Sequence, residues 1–126
     1  MLEGDRDWRE ERIAKNEASF RLINERLQDG LRRLPHPPEL IPFVCECGSR
    51  RCTGAVELSL EEYEAVRAHP DRFAVLPDHV FPEYENVVER HERYVVVEKL
   101  GVAGLISELT DPRDDDAVDP LAPDLS

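Results

Sequence analysis

The chain has 126 residues, of which 40% are hydrophobic and 35% are charged, and its formal net charge is −12. This length suits one domain with one modest core. The acidic balance disfavours nucleic acid and anionic membranes as partners, because binding to either depends on lysine and arginine. No apolar run approaches the ~20 residues of a membrane span, and the N-terminus lacks a secretory signal pattern. We therefore expect a cytoplasmic protein with reduced cysteines.

The first predicted element is a long helix over residues 5–34, which makes up most of an N-terminal unit at 1–34. Its apolar residues recur at helical spacing and form one stripe on a charged rod. The stripe consists of Ile13, Phe20, Ile23, Leu27, Leu31 and Leu34. Two interpretations stay open: the helix packs on its own domain, or it forms a short coiled coil or dimer arm.

A β-hairpin is predicted next, at the start of the main unit, residues 35–110. The proline-rich "PHPPEL" at 35–40 is a stiff connector. The extended runs "IPFVCEC" and "AVELS" follow, with the glycine-bounded "GSRRCTG" between them. This order predicts a hairpin whose loop is a metal knuckle.

A capped helix and three further strands complete the predicted domain. Ser59 and Glu62 have capping-box spacing, and Pro70 ends the helix. One strand is predicted at 72–76, and residues 85–100 favour two strands about a tight turn over one long strand. A short closing helix follows. The prediction is an α+β fold with a long N-terminal helix, a small antiparallel sheet carrying a zinc-knuckle hairpin, and one crossing helix.

The last segment, residues 111–126, reads "DPRDDDAVDPLAPDLS". It contains six Asp, one Arg and three Pro. Such a segment cannot bury enough apolar surface to order itself. We predict a disordered acidic tail.

All three cysteines, Cys45, Cys47 and Cys52, lie within eight positions. Side chains two apart on a strand face the same side, so Cys45 and Cys47 can reach one point. A turn containing Gly48 can bring Cys52 back to that point. Tetrahedral sites rich in thiolate select zinc or iron–sulfur. The C-x-C-x4-C spacing thus predicts three ligands of one structural Zn²⁺ per chain.

A closed structural zinc site needs a fourth protein ligand, and the chain has four histidines. His79 is the first choice, because it lies in a proline-bounded loop just after a strand. His91, at the predicted hairpin turn, is second, ahead of His36 and His69. Water in the fourth position stays open.

Two arginines, Arg50 and Arg51, lie inside the knuckle. Their guanidinium groups would offset the negative charge of a site with three thiolates and lower the thiol pKa values. The alternative is that they are solvated loop cations.

The predicted function is a small zinc-binding interaction or regulatory protein. Its partner would be another protein or a second copy, bound through the N-terminal helix or the acidic tail. One alternative is a thiol redox sensor in which Cys45 and Cys47 oxidise and release the metal. The other is a small zinc-dependent enzyme, although no H-E-x-x-H, glycine-rich phosphate loop or G-x-S-x-G motif is present.

The same motifs carry a resemblance. The chain resembles a group of short bacterial proteins from GC-rich genomes that have an "NE-x-x-F-R-x-x-NER" helix, an "FVCEC-x4-C" knuckle and an "EL-S/T-LEEYE-x-VR" helix. These motifs begin here at Asn16, Phe43 and Glu57. The resemblance covers about residues 13–113 and includes a Pro-x-His after the next strand, matched by Pro77 and His79. It implies that His79 belongs to the pattern, and it implies no function.

Overall fold

The computed structural model describes residues 2–47, 49 and 51–113, with side chains from residue 12 onward. It has three helices, α1 (Leu2–Arg32), α2 (Leu60–Arg67) and α3 (Gly101–Leu109). The strands are β1 (Ile41–Val44), β2 (Ala55–Leu58), β3 (Arg72–Val75), β4 (Glu85–Arg90) and β5 (Val95–Lys99). The predicted α+β class is confirmed. A search of the described helices finds none that combines the length and the hydropathy of a bilayer span.

The strands form two antiparallel sheets. β1 and β2 make the predicted hairpin, with Phe43 opposite Val56. In the second sheet β5 lies between β3 and β4. Three consecutive valines of β5, 95–97, are buried, as suits a central strand. A hydrogen bond of 3.0 Å from Glu46 N–H to the Ala74 carbonyl connects the two sheets.

Helix α2 begins at the predicted capping box. Glu62 N–H donates to the Ser59 hydroxyl at 3.0 Å, and Ser59 N–H donates to the Glu62 carboxylate at 2.9 Å. One turn later the Tyr63 ring stacks on Phe43 with 4.3 Å between centroids. Both rings are fully buried. Because the cap fixes the start of α2, Tyr63 in its first turn packs on Phe43 of the hairpin.

Helix α1 packs against β1 and α3, but mainly through a face other than the predicted apolar stripe. Leu27 and Leu31 lie at the margin of the core, whereas Ile23 and Leu34 are 42% and 47% exposed. The buried face instead combines small and polar residues, namely Ala14, Glu17, Ala18, Arg21, Asn24 and Gln28. The two alanines allow the α1 backbone to lie close to the neighbouring elements. The buried polar groups need hydrogen-bond partners inside the protein. The predicted stripe was therefore only partly correct.

A buried charge cluster lies where α1 meets the second sheet. Lys99 forms ion pairs with Glu17 and Glu85, and all three residues are at most 3% exposed. Lys99 also lies over the Phe73 ring, 5.4 Å from its centroid. Burial raises the pKa of both carboxyl groups, and that of Glu17 rises to about 8. Glu17 therefore holds a proton at neutral pH.

The chain after α3 folds back over α1 and α2. Asp111, only 8% exposed, pairs with the buried Arg67. The Arg113 guanidinium pairs with Glu25 at 3.0 Å and with Glu64 at 2.7 Å. Its hydrogen bonds lower the pKa of Glu64 to about 2. Asp111 and Arg113 belong to the segment that was predicted as a disordered tail. Positions 114–126 of that segment lie outside the described residues.

The substitution Glu17→Gln tests the protonated cluster. The folded protein holds a proton on Glu17 up to about pH 8, whereas an unfolded chain releases it near pH 4.5, as a solvated glutamate does. Between these values the free energy of unfolding falls by up to about 1.4 kcal/mol per pH unit, and the substitution removes this contribution. We expect wild type to lose more stability than Glu17→Gln on going from about pH 6 to about pH 9.

Urea denaturation followed by circular dichroism measures this difference. Glu61→Gln, at an exposed position of α2, is the matched control and should retain the wild-type slope. If the free energy of unfolding changes equally with pH in wild type and in Glu17→Gln, the assignment of the proton to Glu17 is refuted.

Candidate metal centre

The three cysteines and His79 meet at one point. One potential ligand atom from each residue is available, and these atoms all lie within 4.8 Å of one another. His79 Nδ1 is 3.3 Å from Cys52 Sγ and 3.6 Å from Cys45 Sγ. A tetrahedral zinc ion with ordinary bond lengths requires about 3.6 Å between sulfur and nitrogen ligands. The cysteines form no disulfide, and the group is close enough to hold a metal ion.

The segment of Cys45 and Cys47 continues the path of β1 between the two sheets. Cys45 N–H donates to the Gly54 carbonyl at 3.2 Å, on the hairpin side. Glu46 N–H donates to Ala74 on the other side. Side chains alternate along an extended chain, so both thiols face the cluster while Glu46 points away from it. Both cysteines are 1% exposed.

The Glu46 carboxylate is fully buried and accepts hydrogen bonds from three elements. Its donors are the Tyr63 hydroxyl at 2.8 Å, the Asn24 amide at 2.9 Å and Ala74 N–H at 3.0 Å. Burial raises the pKa of Glu46, and the hydrogen bonds from Asn24, Ala74 and Tyr63 oppose that rise. The residue between the two thiols is thus fastened to α1, α2 and β3. Glu46 was not predicted as a site residue, although an acidic residue inside an apolar strand was the available signal.

Asn24 also holds the free edge of β1. Its Oδ1 accepts from Val44 N–H and its Nδ2 donates to the Val44 carbonyl, both at 2.8 Å. The side-chain amide thereby takes the place of a neighbouring strand. This contact fixes β1 one residue before the first cysteine. Asn24 was likewise missed by the sequence analysis.

Cys52 and His79 are presented by two turns. Cys52 N–H donates to the Ser49 carbonyl at 3.2 Å, and His79 N–H donates to the Leu76 carbonyl at 2.9 Å. Pro77 occupies the second position of the latter turn, where its fixed φ is favoured. Both ligand residues are half-buried. Gly48, which the prediction placed in the first turn, lies outside the described residues, as does Arg50.

Gly54 allows the two loops to approach each other. A Cβ added there would lie 2.5 Å from Leu76 Cδ1 and 3.6 Å from Cys52 Sγ. The leucine side chain would have to move to admit even a methyl group. The absence of a side chain at residue 54 therefore brings the Cys52 loop close to the loop that carries His79.

The thiols of Cys45 and Cys47 influence each other's pKa. Their mutual hydrogen bond lowers the pKa of Cys47 to about 5 and raises that of Cys45. Backbone N–H groups donate to both sulfurs, from Ser49 to Cys47 and from Leu76 to Cys45, the latter at 3.3 Å. N–H donors stabilise the thiolate form of a cysteine, and the thiolate is the form that binds a metal ion.

Among the four histidines, the cluster contains His79, the first choice of the sequence analysis. His91 instead stacks on Tyr94 and contacts Glu89 at 3.0 Å. His36 and His69 are exposed. Arg51, also exposed, lines a cavity beside the cluster.

That cavity has a volume of about 340 Å³ and adjoins the metal-ligand cluster. It is formed by the knuckle loop and by the loop after β3. Its lining comprises Cys47, Ser49, Arg51, Cys52, Asp78, His79, Val80 and Phe81. Three of the four potential ligands therefore border open space.

Comparison of the chain with protein-family models, curated proteins and solved structures finds no match. The fold and the site together define an α+β protein with a Cys3His group that can hold a metal ion.

The substitution Glu46→Ala tests whether the buried carboxylate organises the site. It leaves the Tyr63 hydroxyl, the Asn24 amide and Ala74 N–H without their buried acceptor. We expect the free energy of unfolding to fall by about 2–4 kcal/mol, and metal affinity to fall with it. Urea titration without metal measures the first effect, and chelator competition measures the second.

Glu57→Ala, at an exposed position of β2, is the control for loss of a glutamate near the same hairpin. It should change stability by less than about 0.5 kcal/mol. If Glu46→Ala is as stable as this control, the carboxylate does not hold the elements together.

Proposed function

We propose that Cys45, Cys47, Cys52 and His79 bind one zinc ion per chain, and that the protein is a small zinc-binding interaction or regulatory protein. The convergence of four potential ligand atoms within 4.8 Å supports this proposal. Three thiolates and one imidazole are a donor set typical of structural zinc. The zinc would connect the hairpin loop to the loop after β3.

A structural role is favoured over a catalytic one by the complete ligand set. Catalytic zinc keeps one coordination position for water or substrate, whereas four protein ligands fill a tetrahedral site. The small zinc-dependent enzyme would require His79 to leave the metal. The structural zinc of the function proposed first would be held by all four residues.

The thiol redox sensor is the second candidate, and the close pairing of Cys45 with Cys47 supports it. A thiolate beside a second thiol is the arrangement that peroxide converts to a disulfide. Both residues are 1% exposed, however, whereas Cys52 is half-buried. An oxidant would therefore reach Cys52 more readily than the C-x-C pair.

A partner protein or a second copy would bind the part of the predicted α1 stripe that remains exposed. Ile23 is 42% exposed, although α1 buries another face against its own chain. Leu34, just beyond the helix, is 47% exposed. A partner that covers both side chains would remove their apolar surface from water.

Metal analysis of the purified full chain tests the zinc site. We expect one zinc ion per chain, and we expect His79→Ala to weaken zinc binding by about 100-fold, because the substitution removes a ligand. Native mass spectrometry and chelator competition measure stoichiometry and affinity. His91→Ala is the control and should retain wild-type affinity. A wild-type protein without zinc affinity, or equal affinities for the two variants, would contradict the proposal.

The variant Ile23→Glu tests α1 as a self-association surface. We expect the wild-type mass in sedimentation equilibrium to rise with concentration and Ile23→Glu to remain monomeric with unchanged melting temperature. Leu27→Glu is the contrasting variant, because Leu27 packs against the core and its substitution should lower stability. A wild type that stays monomeric at all concentrations would rule out a second copy as the partner.

A further inference from the structure

The metal-ligand cluster has an enclosed side and an open side. Cys45 and Cys47 are 1% exposed, and backbone N–H groups donate to both sulfurs. Cys52 and His79 are half-buried residues on turns and, together with the buried Cys47, border the 340 Å³ cavity. This volume lies at the lower end of the range of about 300–1,000 Å³ typical of small-molecule sites. A small molecule could thus reach the cluster from the side of Cys52 and His79.

Two opposite charges line the same cavity. The Arg51 guanidinium and the Asp78 carboxylate are exposed, and neither forms an ion pair with another residue in the described part of the chain. Val80 and Phe81 add apolar surface. A ligand that carries a carboxylate and an ammonium group would satisfy both charges.

We propose that this cavity binds a small amino-acid thiol, a molecule with a thiol, an α-carboxylate and an α-ammonium group, as in cysteine. The inference rests on the proposed zinc centre, because the thiol would become a ligand of its metal. Arg51 would bind the carboxylate and Asp78 the ammonium group. The sulfur would approach beside Cys52 and His79.

The binding step is a ligand exchange without electron transfer. A bond from the incoming sulfur to the metal would form, and the bond from the His79 imidazole to the metal would break. The thiol proton would pass to the released imidazole. His79 is the ligand that leaves, because it is neutral, half-buried and carried by a short turn. Its departure would detach the loop after β3 from the hairpin, so the amino-acid thiol would regulate the centre.

Cobalt substitution gives the test a direct readout. The full chain is loaded with Co²⁺, and its visible absorption is followed during titration with L-cysteine. Cysteamine lacks the carboxylate, mercaptoacetate lacks the ammonium group, and 2-mercaptoethanol lacks both. We expect a saturable spectral change at the lowest concentration with L-cysteine.

Two variants test the charged residues. Arg51→Gln and Asp78→Asn should each weaken the response to L-cysteine by about two- to five-fold, the range for exposed charge pairs. Neither should change the response to 2-mercaptoethanol or the affinity for Co²⁺. Arg33→Gln and Asp29→Asn make the same chemical changes at an exposed ion pair near the end of α1, and should have no effect.

The outcomes separate this inference from the proposed metal site. A wild type that does not bind Co²⁺ would overturn both. A stable Co²⁺ complex would retain the metal site but overturn the cavity proposal in either of two cases. The first is an equal response to all four thiols, and the second is metal removal that rises linearly with thiol and does not depend on Arg51 or Asp78.

Discussion

The buried carboxylate of Glu46 joins three elements of the fold. It lies between Cys45 and Cys47, two residues of the candidate metal centre. Burying an ionised group is costly unless donors surround it, and here the donors come from α1, α2 and β3. Because side chains alternate along an extended chain, fixing Glu46 toward the helices also fixes Cys45 and Cys47 toward the opposite side. The orientation of the thiols thus depends on a polar network that touches no metal. Glu46 therefore supports both the candidate metal centre and the packing of the helices.

From residue 12 onward, the buried face of α1 carries more polar than apolar side chains. Besides Glu17 and Asn24, Arg21 donates to the carbonyls of Pro70 and Ser107, the latter at 2.7 Å, and lies 4.7 Å from the centre of the Phe73 ring. Each group requires a partner at one position, so a shift of α1 by one turn would leave several buried groups unpaired. Apolar contacts tolerate such shifts more readily. The polar face therefore contributes to a single register, although it stabilises less than a well-packed apolar face would.

Features set by near neighbours could be predicted from the sequence, and those set by distant partners could not. The capping box, the hairpin and the central strand β5 each depend on a few adjacent residues, and the structure contains them all. The buried face of α1 was misjudged because its polar residues are satisfied by groups far along the chain, such as Val44 for Asn24 and Lys99 for Glu17. The acidic residue Asp111 likewise appears solvated until the buried Arg67 is placed beside it. His79 was identifiable among four histidines, because a turn with proline limits where its ring can lie.

The positions of Cys45 and His79 have a topological consequence. The two residues are 34 positions apart, and the chain between them contains all of β2, α2 and β3. A metal ion bound by both Cys45 and His79 would close this stretch of chain into a loop, as a disulfide does. Ring closure of this size removes about 3–4 kcal/mol of conformational entropy from an unfolded chain, by analogy with a disulfide. Helices α1 and α3 lie outside the ring, so loss of the ion would loosen the middle of the chain directly and both ends only through their contacts with it.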